Sequence, residues 1–348
     1  MKASVRPSGK TAASGMSLIE LMIALVLGLI VTGAAVALFA TNRMTYSVAE
    51  SMGRIQESNH TAFELMSRDM RDAGGTPCDA SLANSMVNGL VTPTASWYTN
   101  WDNGLRGYDG ATAFTTPTGS AGFGTAVKNR VAGTEALEIK SAQATDDVVS
   151  ADVADANRNQ NIPVSNTTGL AAGDLLIVCD YHGGTIFQAT GFSGTTGIIH
   201  AAGGAAGTNV DGTLDLGSYG NDKFGVAIPA ISANGVIANL HATRWYIGCN
   251  GRVACTAPGG TSLFEARMYN NAGTTAVAYD EIAAGATNMN LSYLETGGTA
   301  YNAAPASWPA VTAIKISLTF ASQDKLGTDG NPIRRTFEHV VGLRDHLP

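Results

Sequence analysis

Hydrophobic and polar positions divide the chain into three textures. Residues 16–40, "MSLIELMIALVLGLIVTGAAVALFA", form an apolar run in which Glu20 is the only formally charged side chain. At about 1.5 Å per residue this run makes a helix of about 37 Å, enough to cross a hydrocarbon core of about 30 Å with some tilt. The pattern then opens to one apolar position every three or four: Met44, Val48, Met52, Ile55, Ala62, Met66 and Met70, with Asn59 the one polar step. That spacing predicts one amphipathic face, with Arg43, Glu50, Arg54, Glu57, Glu64 and Arg68 around the rest of the helix. No proline occurs between Pro7 and Pro77. "AGGTPC" should stop the helix, because Gly74 and Gly75 suit a C-cap and Pro77 cannot continue it.

Past Cys78 the texture is rich in Gly, Ala, Thr, Ser and Asn, with short apolar runs between turn residues. These runs predict strands at 136–141, 175–181, 185–190, 224–228, 236–247, 262–268, 289–294, 311–320 and 333–343. "IKISLTF" and "TFEHVVGL" show partial alternation, and "HGG", "NGR" and "DGN" supply turns. The expected fold is α+β: a long N-terminal helix packed on a large antiparallel β-sheet head. About 270 residues is long for one β domain, so an insertion is expected around 84–129 or 201–222. No internal repeat is evident.

The opening "MKASVRPSGKTAASG" carries Lys2, Arg6 and Lys10 and no acid. Basic flanks stay cytoplasmic, so the chain should run N-terminus in and C-terminus out. Glu20 is the oddity, since a carboxylate in a spanning helix costs about 2.5–3.5 kcal/mol on insertion scales. A secretory signal cut after Ala35-Val36-Ala37 leaves Glu20 and the length of the run unexplained. A plain signal anchor accounts for the flank and the length, but again not for the glutamate. A third reading uses all the features: cleavage after Gly15 makes Met16 the first residue of the mature chain and Glu20 the fifth.

"GMSLIEL" thus resembles the class III signal of type IV prepilins, with Met16 where most pilins have Phe. The resemblance implies cleavage between Gly15 and Met16 by a prepilin peptidase and N-methylation of Met16. It also implies that Glu20 is an assembly contact, pairing with the amine of a neighbouring subunit; a buried charge persists only with a partner. "AFELMSRDMRDAGGTPC", "DLLIVCDYHGGTIFQATG", "RWYIGCNGR" with "SLFEARM", "EIAAGATNMNLSYLETG" and "VTAIKISLTFAS" with "RRTFEHVVGLRD" follow the order found in PilW-like minor pilins. Asp345 stands where that family commonly has Asn. J-type minor pseudopilins of type II secretion share the signal and the helix end. The implied organisation is a leader at 1–15, a transmembrane half-helix at 16–40, a periplasmic amphipathic half at 41–75 and a β-rich head at 76–348. The implied partners are other minor pilins and the major pilin, the prepilin peptidase, the inner-membrane assembly platform and the lipid bilayer.

No catalytic motif emerges. Gly9-Lys10-Thr11 lacks the upstream glycine of a phosphate loop, and G-x-S-x-G, H-E-x-x-H and C-x-x-C are absent. His60, His182, His200, His241, His339 and His346 are scattered singly, which suits packed or surface residues better than ligands. In "DANRNQN", Asp155, Asn157, Asn159 and Asn161 alternate like calcium ligands, but Gln160 replaces the glycine at position six and the closing acid is missing. No metal, cofactor or enzymatic activity is therefore expected. "SWYTNWDNGLRGYDG" places Trp97, Tyr98, Trp101 and Tyr108 in one loop, either to pack it or to line a binding surface. The latter would suit a fibre-displayed adhesin head.

Charge and cysteines bear on location. The chain has 21 basic and 28 acidic residues; removing the leader leaves 18 against 28, a formal −10, which argues against broad nucleic-acid binding. All four cysteines follow the apolar run, in the part expected in an oxidising compartment. Of the three possible pairings, Cys249–Cys255 around the turn-like "NGRVA" is favoured, leaving Cys78–Cys179; four buried thiols are the alternative. The combined expectation is a non-enzymatic minor pilin that primes or joins pilus assembly, with a type II pseudopilin as the runner-up.

Overall fold

A computed structural model describes residues 15–77, 86–90, 96–101, 104–114, 121–151, 161–180, 184–201, 209 and 233–344. The chain divides into two units, 1–51 and 52–348.

The first unit is the N-terminal part of helix α1 (Leu18–Arg71). This part is exposed along its apolar length and is long and apolar enough to cross a membrane. Its hydroxyls bond back along the helix: Thr32 Oγ1 donates to the Gly28 carbonyl (2.9 Å), Thr41 Oγ1 to Ala37 (2.9 Å) and Thr45 Oγ1 to Thr41 (3.0 Å). In lipid, where no water is present to satisfy them, such internal bonds are what make polar side chains tolerable.

Among the described residues, the second unit joins the rest of α1 to fourteen strands. These are β1 (Met86–Asn88), β2 (Leu105–Tyr108), β3 (Ala136–Val148), β4 (Asn161–Pro163), β5 (Leu175–Cys179), β6 (Gly184–Gln188) and β7 (Gly191–Phe192). They continue as β8 (Gly197–Ile199), β9 (Val236–Cys249), β10 (Thr261–Asn271), β11 (Thr274–Ala284), β12 (Ala286–Glu295), β13 (Val311–Ala321) and β14 (Arg334–Gly342). The large sheet is built around β9. Strand β3 lies along one edge of β9, while β5 and then β10 share the other edge, and β2, β6 with β1, and β11 extend outward. Strands β12-β13-β14 and β4-β8-β7 form two smaller sheets. The pairing is antiparallel as expected except for β1, which runs parallel to β6.

The principal core lies where α1 and two sheets meet. Ile55, Ala62, Met66 and Met70 of α1 pack with Leu137 and Ile139 of β3, Trp245 and Ile247 of β9, Met289 and Leu291 of β12, and Ile314, Ile316, Leu318 and Phe320 of β13. The helical stripe is therefore buried from Ile55 onward, whereas Met44 is exposed. Asn59 is buried too, its amide bonded to His339 of β14 at 3.2 Å, and Phe63 stacks on the same imidazole. At the helix end Gly74 turns with φ +73°, donates its N–H to the Lys140 carbonyl (2.8 Å), and Gly75 accepts from Ala142 (2.8 Å). A side chain at Gly74 would be strained, and this close approach ties the helix exit to β3.

Most expected strands are present; β3 runs on to Val148 and β10 to Asn271, while β5, β6 and β14 are shorter than expected. The expected strand at 224–228 lies outside the described residues. Strand β11 was not anticipated. It returns from β10 through Ala272 (φ +51°) and Gly273 (φ +94°), a two-residue hairpin of the type that twists with the strands.

Candidate processing and assembly site

Gly15, Met16 and Ser17 precede α1, and the helix begins at Leu18. Met16 is exposed, and nothing among the described residues lies within 4 Å of the Cβ position of Gly15. Ser17 and Glu20 are reciprocally bonded. The Ser17 N–H donates to Glu20 Oε2 and the Glu20 N–H donates to Ser17 Oγ, each at 3.3 Å. This is a capping box, which satisfies two of the four amide donors that every helix N-terminus leaves open. The S-x-x-E spacing of Ser17 and Glu20 is the local sequence signal for it. In the single subunit Glu20 is thus an exposed cap, with one carboxylate oxygen engaged by a neutral N–H and no cation beside it among the described residues.

Residues 10–36 match the prokaryotic N-terminal methylation motif. The match contains the Gly15–Met16 junction, Glu20 and most of the apolar run, and it supports a class III signal of the type IV pilin kind. Together with the long apolar helix and the β-sheet head, the match supports a type IV pilin or pseudopilin. No curated protein and no solved structure matches the chain.

In the head, the expected bridge between Cys249 and Cys255 is formed. Cys179 is also disulfide-bonded, while Cys78, its expected partner, lies outside the described residues. Inside the small loop, Asn250 Nδ2 donates to the Gly259 carbonyl (2.8 Å) and to Ser262 Oγ (3.0 Å), and Arg252 grips Glu281 with both guanidinium nitrogens (2.7 and 2.8 Å). Replacing Cys249 and Cys255 together by serine should cost about 2 kcal/mol, the loop-closure entropy of a ring this small. Urea unfolding of the oxidised wild type and the double variant measures it.

Trp97, Tyr98, Trp101 and Tyr108 are all buried. They pack rather than line a surface, and their setting includes a charged cluster that the sequence reading missed. Glu138 of β3 and Arg244 of β9 face each other across the sheet, on the side away from α1. Glu138 accepts from Lys140 Nζ at 2.5 Å, from Arg244 Nε at 2.8 Å and from the Tyr108 hydroxyl at 3.0 Å. Burial pushes the Glu138 carboxyl up, but Lys140 and Arg244 outweigh it and hold the group below the ordinary glutamate range. The Arg244 guanidinium lies 4.5 Å from the Trp97 ring and 4.3 Å from Phe114. Buried Arg130 donates to the carbonyls of Thr112 (3.0 Å), Asp109 (2.6 Å) and Thr134 (2.5 Å), and burial lowers it to about 10. These groups fasten the 104–114 and 121–134 segments over the polar face of the sheet. The arrangement is a fastening.

The histidines are dispersed. His60 is exposed beside Glu64 (3.7 Å), His200 packs edge-on to Phe187, His339 stacks on Phe63, His241 lines a cleft, and His182 and His346 lie outside the described residues. Of the calcium-like loop, only Asn161 is described, at the start of β4; Asp155, Asn157 and Asn159 lie outside. Among the described residues no three His, Cys, Asp or Glu side chains converge as metal ligands.

Proposed function

We propose that the chain is a minor pilin of the PilW-like kind that primes or joins type IV pilus assembly. The observation that carries this reading is the methylation motif over residues 10–36, set directly on a helix that runs without a break into a β-sheet head. On this reading the prepilin peptidase cuts after Gly15, and the Met16 amine is methylated and remains cationic. The 16–40 segment crosses the inner membrane once, with the head in the periplasm, until the subunit is drawn into the fibre beside other minor pilins and the major pilin. Disulfides at Cys249–Cys255 and at Cys179 suit that oxidising side. The head acts as a shaped, non-enzymatic subunit. Burial of the Trp97, Tyr98, Trp101 and Tyr108 side chains favours this over an adhesive aromatic surface.

Mass spectrometry of the N-terminal peptide from membrane-extracted protein tests the reading. The expected result is a start at Met16 carrying one methyl group. A start near Leu38, or retention of Met1, would overturn it. Recovery of the chain in sheared pili then separates a pilus subunit from a pseudopilin of a type II secretion system.

A further inference from the structure

The end of α1 meets the large sheet across a cleft of about 510 Å³, and the groups lining it make up a second charged arrangement, distinct from the one around Glu138. Asp69, in the last turn of α1, receives the Trp245 indole N–H (2.9 Å) and the Thr243 hydroxyl (3.1 Å), both from β9. These two bonds latch the helix end to the central strand. On the neighbouring strand β10, Glu265 sits directly opposite Trp245 and Arg267 directly opposite Thr243. Residues paired in this way share a face of the sheet, so Glu265 and Arg267 flank the two donors of Asp69. On its other side Glu265 is opposite Asp280 of β11, and Arg267 donates to that aspartate (3.4 Å). Asp69 and Glu265 thus line one cleft at the end of the helix, and Asp280 stands beyond Glu265, with Arg267 committed to it.

We propose that this cleft is a proton-operated latch, in which a proton on Glu265 keeps the Asp69 end of α1 docked on β9 and β10, and loss of that proton loosens the dock. Asp69 and Glu265 are both partly withdrawn from water, so ionising Glu265 adds a negative charge beside Asp69 in the cleft. Burial and then the Asp69 charge lift Glu265 to about 7, against the pull of Arg267. Burial also raises Asp69, although its two hydrogen bonds oppose that shift. The other charged groups facing the cleft are Arg68 and Asp72 of α1, His241 of β9 and Arg344 after β14. Burial holds His241 below the ordinary imidazole range, so it is neutral at pH 7 and gains a proton only on further acidification.

The signs of the two effects are opposite. A raised carboxyl favours the docked state at low pH, and that contribution is lost as pH rises through about 7. A lowered imidazole penalises the docked state as pH falls below about 6.5. Comparison with Glu265→Gln, which mimics the protonated carboxyl and retains His241, cancels the second effect.

The test is backbone hydrogen exchange of the full-length chain in detergent, corrected for the intrinsic pH dependence of exchange and read on peptides covering 66–75 and 241–247. The ratio of wild-type to Glu265→Gln opening constants should rise about tenfold between pH 6 and pH 8.5, with a midpoint near 7. Asp280→Asn removes one neighbouring carboxylate and should move that midpoint to lower pH. A constant ratio across the range, or a midpoint unmoved in Asp280→Asn, would overturn the proposal.

Discussion

Glu138→Ala should destabilise the head by about 3–5 kcal/mol, the usual effect of removing one member of a buried ion pair. The loss exceeds that of the Coulomb contact itself, because the Lys140 ammonium and the Arg244 guanidinium stay behind, 0 % and 1 % exposed, with their shared carboxylate gone. Tyr108 loses its hydrogen bond to Glu138 as well. Glu138→Gln keeps shape and some hydrogen bonding but not the charge, and should also be clearly destabilising. Lys140→Met added to Glu138→Ala should recover part of the loss, since one buried cation that has lost the Glu138 carboxylate is replaced by an apolar chain of similar length. The effect has a defined pH dependence. Because the native Glu138 carboxyl is held below its ordinary value of 4.5, its contribution is complete above that pH and is lost as pH falls through the lower native value. The gap between wild type and Glu138→Gln should therefore be full at neutral pH and narrow in acid. Urea unfolding of the full-length protein in detergent, followed by tryptophan fluorescence across pH, measures both effects. A cost of Glu138→Ala below about 1 kcal/mol would show that the cluster is not fully desolvated.

The same cluster shows what a single sequence conceals. "ALEIK" alternates, and Leu137 and Ile139 were readable as the buried side of a strand. By the same alternation Glu138 and Lys140 read as its wet side, as in an ordinary half-exposed antiparallel sheet. They are dry because the 96–101, 104–114 and 121–134 segments come back over them, carrying Trp97, Tyr108 and Phe114. Nothing in the local pattern of residues 136–140 encodes that cover. Strand β13 was legible for the converse reason: Ile314, Ile316, Leu318 and Phe320 face the core, while Lys315, Ser317 and Thr319 on the other side are only partly buried. Strand β11 was missed because its Thr- and Ala-rich "TTAVAYDEIAA" offers little apolar contrast, and because Ala272 fills a hairpin position where Asn is the usual signal. Asn59 looked like a gap in the helical stripe. It is instead matched by His339, 280 residues away, a distance at which no periodicity argument operates. The apolar run was readable because its meaning is local. The capping box was equally local and was passed over.

Capping and charge pairing can be tested separately at Glu20, because the capping box gives the first its own partner in Ser17. If capping were its whole role, Gln would replace it with little loss, since Gln serves in capping boxes as well as Glu. Ser17→Ala would then do as much harm as Glu20→Ala, each losing about 1 kcal/mol from one helix end. If Glu20 instead pairs with the cationic Met16 amine of a neighbouring subunit, both Glu20→Ala and Glu20→Gln should abolish incorporation into pili. The amine would lie unpaired in an apolar bundle, a cost of about 3–5 kcal/mol per contact. Ser17→Ala, which removes the cap but not the charge, should still be incorporated. Cleavage after Gly15 should persist in all three variants, and membrane insertion should be unchanged or improved in the two that delete a charge costing about 2.5–3.5 kcal/mol in the bilayer. The measurement compares processed protein, membrane content and content of sheared pili for wild type and the three variants. Normal incorporation of Glu20→Gln would reduce Glu20 to a helix cap. Loss of incorporation in both Glu20 variants but not in Ser17→Ala is the outcome that charge pairing requires, because only there do shape, cap and charge part company.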